Sequence, residues 1–160
     1  MGPPRSEADG DVVTKVAVNM GDEDLTGYSI IRGGLYGSES TPEGVVYRWT
    51  GGEASFAIPG SMKIPLTVKI RAASGRPDGL GQATLYLYCA GSHIATTRLT
   101  QVFADYEVSL PEDCLSSQGG ILTIRADGWV PAQHGTSTDS RVLGFMLEEL
   151  EYIPQTGSNS

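Results

Sequence analysis

The chain has 160 residues, the usual size of one compact domain, and a second full domain would leave neither with a sizeable core. Its 11 basic and 19 acidic residues give a net charge of −8, which repels phosphate backbones, so we expect no nucleic-acid partner. Hydrophobic residues form 39% of the chain and charged residues 19%, and this composition favours a folded domain over wholesale disorder.

The N-terminal residues 1–11 contain prolines, several charges and no apolar run, and they are predicted to form a disordered leader. From Val12 onwards apolar and polar residues alternate, which predicts a first strand over about 12–20. Similar runs follow, separated by clusters rich in glycine and proline that are typical of turns. Residues 12–154 are therefore predicted to be one β-domain, with a disordered tail at 155–160.

Within each predicted strand every second residue is apolar, so one face should be buried. The clearest example is IPLTVKIRA, in which Leu66, Val68 and Ile70 alternate with polar residues. Across the strands the same alternation predicts a core formed by Leu66, Val68, Ile70, Leu85, Leu87, Val108, Leu122, Ile124, Phe145 and Leu147.

The last apolar segment, VLGFMLEELEYI, keeps one inward face only if a residue is inserted in it. Phe145 and Leu147 alternate, but Leu150 and Tyr152 share their face only with a β-bulge at Glu148–Glu149. A helix is the alternative, because the segment contains good helix formers. We favour the strand, since the period-two start is intact. About eight or nine short strands without an amphipathic helix predict an all-β fold, an antiparallel β-sandwich of jelly-roll topology.

A family resemblance is carried by three blocks: GGLYGSES followed by VVYRWTGGEASFAIP; the run LYLYCAGSHIATT with YEVSLP and LTIRAD; and TDSRVLGFMLEELEYIP. Together they resemble the galactose-binding-like jelly-roll modules attached to bacterial membrane glycosyltransferases and cell-surface proteins. The resemblance covers most of residues 12–154. It implies a jelly-roll fold, an extracytoplasmic setting at the periplasm or cell surface, and carbohydrate as a ligand.

Carried over residue by residue, the resemblance points to Glu39, Arg48, Trp49, Asp139 and Arg141. The structural alternative is that these residues hold the fold together. An arginine within an apolar strand needs a carboxylate or carbonyl partners, so Glu39 should pair with Arg48 and Asp139 with Arg141. Trp49 alternates with polar neighbours on its strand and is expected in the core.

The segment 127–140, DGWVPAQHGTSTDS, is longer than a hairpin requires, and such loops often carry binding groups. Sugars are recognised by an aromatic face and by planar polar groups that bond paired hydroxyls. Trp129, Gln133, His134 and Asp139 supply that chemistry, with Arg141 beside them, and we predict a ligand-binding site here. The alternative is that Trp129 plugs the open end of the sandwich.

Motifs of catalysis were not found in the sequence. It lacks G-x-S-x-G, H-E-x-x-H, a P-loop and G-x-G-x-x-G, and nothing in the spacing of carboxylates selects a hydrolytic pair. Its two histidines, His93 and His134, cannot build a three-histidine metal site. We therefore expect a protein that is not an enzyme.

Acidic residues suggest a structural calcium ion as the one possible cofactor. Asp22 and Asp24 stand close together before a turn, and Glu149 belongs to an acidic stretch of the last strand. Calcium prefers such oxygen ligands together with loop carbonyls, so these three residues are the predicted metal ligands. A solvated acidic face is the alternative.

The two cysteines, Cys89 and Cys114, leave the redox state open. A disulfide would suit an oxidising compartment, but from the sequence we favour two buried thiols. Taken together, the sequence predicts a non-catalytic, extracytoplasmic recognition module that binds a glycan through loops at one end of the sandwich. The alternative is an assembly module that packs against another domain of a larger membrane or surface protein, or against copies of itself.

Overall fold

The structure is a computed structural model that describes residues 16–20, 31–58, 66–77, 79–111, 114, 120–135 and 137–155. The predicted leader at 1–11 and residues 156–160 of the predicted tail lie outside this part. Within it, the chain forms nine strands and one short 3₁₀ helix: β1 (Val16–Asn19), β2 (Ile31–Ser40), β3 (Val46–Ile58), β4 (Leu66–Ala73), β5 (Thr84–Cys89), β6 (Ser92–Arg98), β7 (Ala104–Leu110), β8 (Gly120–Arg125), the 3₁₀ helix Pro131–Gln133, and β9 (Met146–Pro154). No helix of this part has the length and hydropathy needed to cross a membrane.

All the described strand pairs are antiparallel, and the strands form one continuous hydrogen-bonded sheet. The strand order is β6-β5-β8-β3-β9-β4-β7, and in addition β1 pairs with β9 and β2 pairs with β3. Strand β3 connects the two arms of this sheet, one formed by β6, β5 and β8 and the other by β9, β4 and β7. Arg48 and Trp49 pair with β9, whereas residues 53–58 pair with β8. The sheet therefore folds over at β3 into two layers that face each other.

The predicted core is confirmed, because all ten residues predicted to face inward are buried. One continuous cluster joins Leu87 and Phe56 of one arm to Val68, Ile70 and Tyr152 of the other. A shared core between two antiparallel layers defines the β-sandwich that the sequence predicted.

The predicted bulge in the last strand is also present. Arg71 of β4 lies opposite Glu149, and the next residue, Ala72, lies opposite Leu147, so Glu148 is the extra residue. The insertion returns Leu150 and the following inward residues to the buried face. The helical alternative for this segment was wrong, because the pairing with β4 buries alternate side chains as only a strand can.

The cysteines require a correction, since Cys89 and Cys114 form a disulfide and the buried thiols favoured from sequence are not present. Their Cα atoms are 5.4 Å apart, which is a usual separation for a bridge. The sequence could not show this proximity because it depends on where the turn at Cys114 returns to the end of β5. Disulfides persist in oxidising compartments.

Removing the bridge should lower stability. The disulfide closes a loop with a sequence separation of 25 residues, and the lost constraint on the unfolded chain corresponds to about 3 kcal/mol of unfolding free energy. Urea denaturation of Cys89→Ala/Cys114→Ala should show this loss, and reduction of the wild-type protein should reproduce it. An equal midpoint for the bridged protein and the double variant would contradict the prediction.

The turn between β5 and β6 contains an unfavourable backbone conformation. Cys89 pairs with Ser92, so only Ala90 and Gly91 form the turn, with φ of 53° and 85°. Two-residue hairpins of this kind favour Asn-Gly, because asparagine tolerates positive φ better than alanine.

Ala90→Asn should therefore raise the unfolding free energy by about 0.5–1 kcal/mol. Gly91→Ala is the matched control with the opposite sign: no atom lies within 4 Å of its added Cβ, so any loss reports backbone strain alone. Thermal denaturation of the two variants beside the wild type measures both effects, and a less stable Ala90→Asn protein would refute the argument.

Candidate functional site

The loop predicted as the binding site is held at both ends by backbone hydrogen bonds. Trp129 and Leu143 exchange amide-to-carbonyl bonds of 2.9 and 2.7 Å. Further out, the amide of Ala132 donates to the carbonyl of Asp139 at 2.8 Å. The segment is therefore a braced loop in which the 3₁₀ helix carries Gln133 at its tip.

Trp129 packs into the end of the sandwich while part of its ring stays exposed. It is half-buried, and its ring packs edge-on against Trp49 with centroids 5.7 Å apart. Its Nε1 atom is buried and has no hydrogen-bond partner among the described residues. It belongs to a second apolar cluster formed with Tyr36, Tyr47, Trp49, Phe103, Leu143 and Met146. The expectation that Trp49 lies in the core is confirmed, since it is 8% exposed.

Gln133 and His134 lie beyond Trp129 on the surface. Both side chains are exposed, and the His134 ring stands 6.3 Å from the Trp129 ring in an edge contact. An anchored aromatic ring with an exposed amide and imidazole next to it can offer one apolar contact and several hydrogen bonds to a ligand.

Arg141 is the centre of a charged network at the base of the loop. Its guanidinium donates to both carboxylate oxygens of Asp139, the shortest bond being 2.7 Å, and to Glu39 at 3.1 Å. It also lies 5.0 Å above the Tyr36 ring. The predicted pairing of Asp139 with Arg141 is confirmed. Hydrogen bonds from the Arg141 side chain and amide lower the pKa of Asp139.

The predicted pairing of Glu39 with Arg48 was wrong. Arg48 donates to the carbonyls of Met20 at 3.3 Å and Tyr36 at 3.1 Å, whereas Glu39 accepts from Tyr47 at 3.3 Å and from Arg141. The register explains the difference, because Glu39 lies opposite Tyr47 and shares its face of the sheet. Arg48 points to the other face. The sequence could not reveal this, because the pairing register of β2 and β3 was unknown.

A buried arginine that the sequence analysis missed supports the same loop. Arg76 is 8% exposed and donates to the carbonyls of Asp127, where the loop begins, and of Gly144, just after it ends. Burial lowers the pKa of Arg76. The signal was absent from the sequence, since nothing in SGRPDG distinguishes Arg76 from a turn residue on the surface.

The Asp139–Arg141 pair generates a pH-dependent prediction. Asp139 has a lowered pKa in the folded state, so its contribution to stability is present above the ordinary carboxyl pKa of about 4 and is lost as pH falls through the folded value. The difference in unfolding free energy between wild type and Arg141→Met should accordingly shrink between about pH 5 and pH 2. Arg98→Met, at an exposed position of β6, is the control that should show no such trend. A constant difference for Arg141→Met across the range would contradict the assignment.

The predicted calcium ligands are only partly within the described structure. Asp22 and Asp24 lie outside the described residues, and Glu149 lies half-buried opposite Asn19 of β1. The amide of Met20, the last described residue before this gap, donates to the carbonyl of Glu148 at 2.9 Å. Among the described residues no group of three His, Cys, Asp or Glu side chains could hold a metal ion. Calcium stays a prediction.

The structure adds a second surface to the loop. A groove of about 520 Å³ crosses the outer face of β3, β8 and β5 and reaches the start of the loop. Its lining is Gly52, Glu53, Tyr86, Tyr88, Arg125, Ala126, Asp127 and Gly128. The alternation that placed Leu85 and Leu87 inward also placed two tyrosines outward, but the sequence could not show which strands lie beside them.

Comparison with known proteins finds similar structures but no similar sequences among protein families or curated proteins. No protein-family model matches the chain, and no curated protein matches it. A family 35 carbohydrate-binding module from Clostridium thermocellum superposes with a TM-score of 0.55 at 11% identity, covering 89% of this chain and all of that one. A family 35 module from an environmental isolate gives 0.50 at 10% identity, covering 81% and 90%. The fold is thus the jelly roll of carbohydrate-binding modules, as the resemblance implied.

Proposed function

We propose that this domain is a non-catalytic, extracytoplasmic module that binds a glycan through the loop at 127–140. The observation that carries the proposal is the anchored Trp129 ring with the exposed Gln133 and His134 side chains beside it. The similar solved structures are carbohydrate-binding modules, and a sugar ligand fits these groups by stacking and by hydrogen bonds to hydroxyls.

Different residues of the loop have different tasks in this proposal. Arg141 engages two carboxylates, so its network with Asp139 and Glu39 keeps the loop in place. The side chains of Arg141 and Asp139 are 34% and 27% exposed, and they form the rim of the site. Trp129, Gln133 and His134 make the central contacts. Binding of this kind requires no catalytic group.

The extracytoplasmic setting is supported by the disulfide, because such bridges persist where the surroundings are oxidising. A recognition role also fits the predicted attachment to another domain of a larger membrane or surface protein. The alternative role as an assembly module stays a prediction, as does the calcium ion near Glu149.

A glycan array tests the function, and variants test the site. The array is probed with the wild-type protein in calcium and in chelator. Gln133→Ala and His134→Ala should each weaken binding of the strongest hit about two- to tenfold by removing a hydrogen bond. Their unfolding free energies should stay at the wild-type value, since both side chains are exposed.

Trp129→Ala should abolish binding and also cost about 2 kcal/mol of stability, because the ring is half-buried. Glu107→Gln, an exposed position on β7, is the control that should leave both quantities unchanged. Unchanged affinity in Gln133→Ala, His134→Ala and Trp129→Ala would remove the loop as the site. An array without a hit in either buffer would remove glycan binding itself.

A further inference from the structure

The groove on the outer face of β3, β8 and β5 presents a regular pattern of polar and aromatic side chains. Glu53, Arg125 and Tyr86 stand opposite one another on the three neighbouring strands and form one row. Ser55, Thr123 and Tyr88 form the next row. Residues directly opposite one another share a face of the sheet, and the exposed side chains of Tyr86 and Arg125 identify this face as the outer one.

The groove extends along the face through a second cavity. This cavity has about 260 Å³ and is lined by Glu53, Tyr88, Gly91, Thr123 and Arg125. Three of its residues, Glu53, Tyr88 and Arg125, also line the larger cavity of about 520 Å³. The two cavities thus form one depression from the start of the loop at Asp127 to the turn at Gly91, with the volume of an ordinary small-molecule site.

Contacts between the lining residues hold them in position. Arg125 Nε donates to Glu53 Oε1 at 3.2 Å, and its guanidinium lies 5.5 Å from the centre of the Tyr88 ring. The rings of Tyr88 and His93 also form an edge contact, with centroids 5.5 Å apart. His93 Nε2 is in turn 2.8 Å from Thr96 Oγ1 on the same strand. A ligand therefore meets side chains that are already ordered, which reduces the entropy lost on binding.

The chemistry of the groove selects a neutral ligand rich in hydroxyls. Glu53 and Arg125 cancel each other's charge, yet their side chains are 54% and 56% exposed and can bond further groups. Tyr86 and Tyr88 add aromatic surface with hydroxyl tips. The nearby Asp127 and the chain's net charge of −8 oppose polyanions such as nucleic acids or acidic polysaccharides.

We propose that this groove is a second glycan-binding surface, which meets the loop only at Asp127 and Gly128 and lies apart from the proposed contacts at 129–134, and that it takes an extended, neutral oligosaccharide. The chain lies across the rows, with sugar rings on Tyr86 and Tyr88 and hydroxyl pairs on Glu53 and Arg125. The inference rests on the proposed function in that both surfaces bind sugars. It differs in requiring an oligosaccharide, since a monosaccharide cannot span the groove.

Backbone amide shifts in an NMR titration locate the two surfaces separately. The probes are the neutral β-1,4-linked hexasaccharides of xylose, glucose and mannose, the corresponding monosaccharides, and hexagalacturonate as the acidic counterpart. At least one neutral hexasaccharide should shift the amides of 86–88 and 123–128. Hexagalacturonate should bind the groove at least tenfold more weakly than that hexasaccharide.

Variants then measure the contribution of the groove. Tyr86→Ala should weaken binding of the hexasaccharide about five- to tenfold and leave the melting temperature within about 2 °C of wild type, because the Tyr86 side chain is exposed. Tyr88→Ala should weaken binding by a similar factor and lower the melting temperature by about 2–6 °C, because the Tyr88 ring is half-buried. Ile121→Ala is the matched control: it removes an exposed apolar side chain from the same face of β8 outside the groove and should retain wild-type affinity.

The outcomes separate the two proposals. Shifts confined to 129–134, or wild-type affinity in both tyrosine variants, would overturn the groove and leave the loop site standing. Shifts confined to the groove would uphold it and overturn the loop. Tighter binding of hexagalacturonate would overturn the neutral specificity, and the absence of shifts with every sugar probe, together with an array without a hit, would overturn both surfaces.

Discussion

The division of β3 between two partners is the constraint on which the rest of this structure depends. The strand leaves β9 after Trp49 and joins β8 from Glu53 onwards, so the backbone must cross between layers at Thr50. Thr50 is fully buried, and its hydroxyl donates to the carbonyl of Gly51 and accepts from the amide of Phe145. Gly144 approaches the same point so closely that any Cβ would collide with the Gly51 carbonyl. The crossing therefore requires this glycine and a satisfied polar side chain in the core.

Both proposed binding surfaces follow from that crossing. The part of β3 before Thr50 carries Trp49, against which Trp129 packs at the loop end. The part after it carries Glu53, which forms one wall of the groove. Arg76 joins the two regions, because its guanidinium lies under the start of the loop and bonds the carbonyl of Gly144 at the crossing. Loop and groove thus stand on one rigid scaffold, which suits recognition by preformed surfaces.

The groove is also stabilised at its other end. The hairpin of β5 and β6 places Gly91 beside Tyr88, and Cys89 ties the end of β5 to Cys114. Alternate residues of β5 point to opposite faces: Leu85, Leu87 and Cys89 fill the core, whereas Tyr86 and Tyr88 line the groove on the outer face. Ala90, with its positive φ, lies in the turn that directly follows Cys89.

The sequence by itself determined the features that depend on near neighbours along the chain. Period-two alternation identified the buried face of each strand, and the break in that alternation located the bulge at Glu148, because a one-residue insertion is needed to keep Leu150 inward. The short spacing of Asp139 and Arg141 likewise predicted their contact. Only the tertiary structure decided which strands lie side by side, since strand order is set by the burial of all faces together. It placed Glu39 with Arg141, joined the cysteines and aligned Glu53, Arg125 and Tyr86 across three strands whose separation in sequence carries no record of their contact.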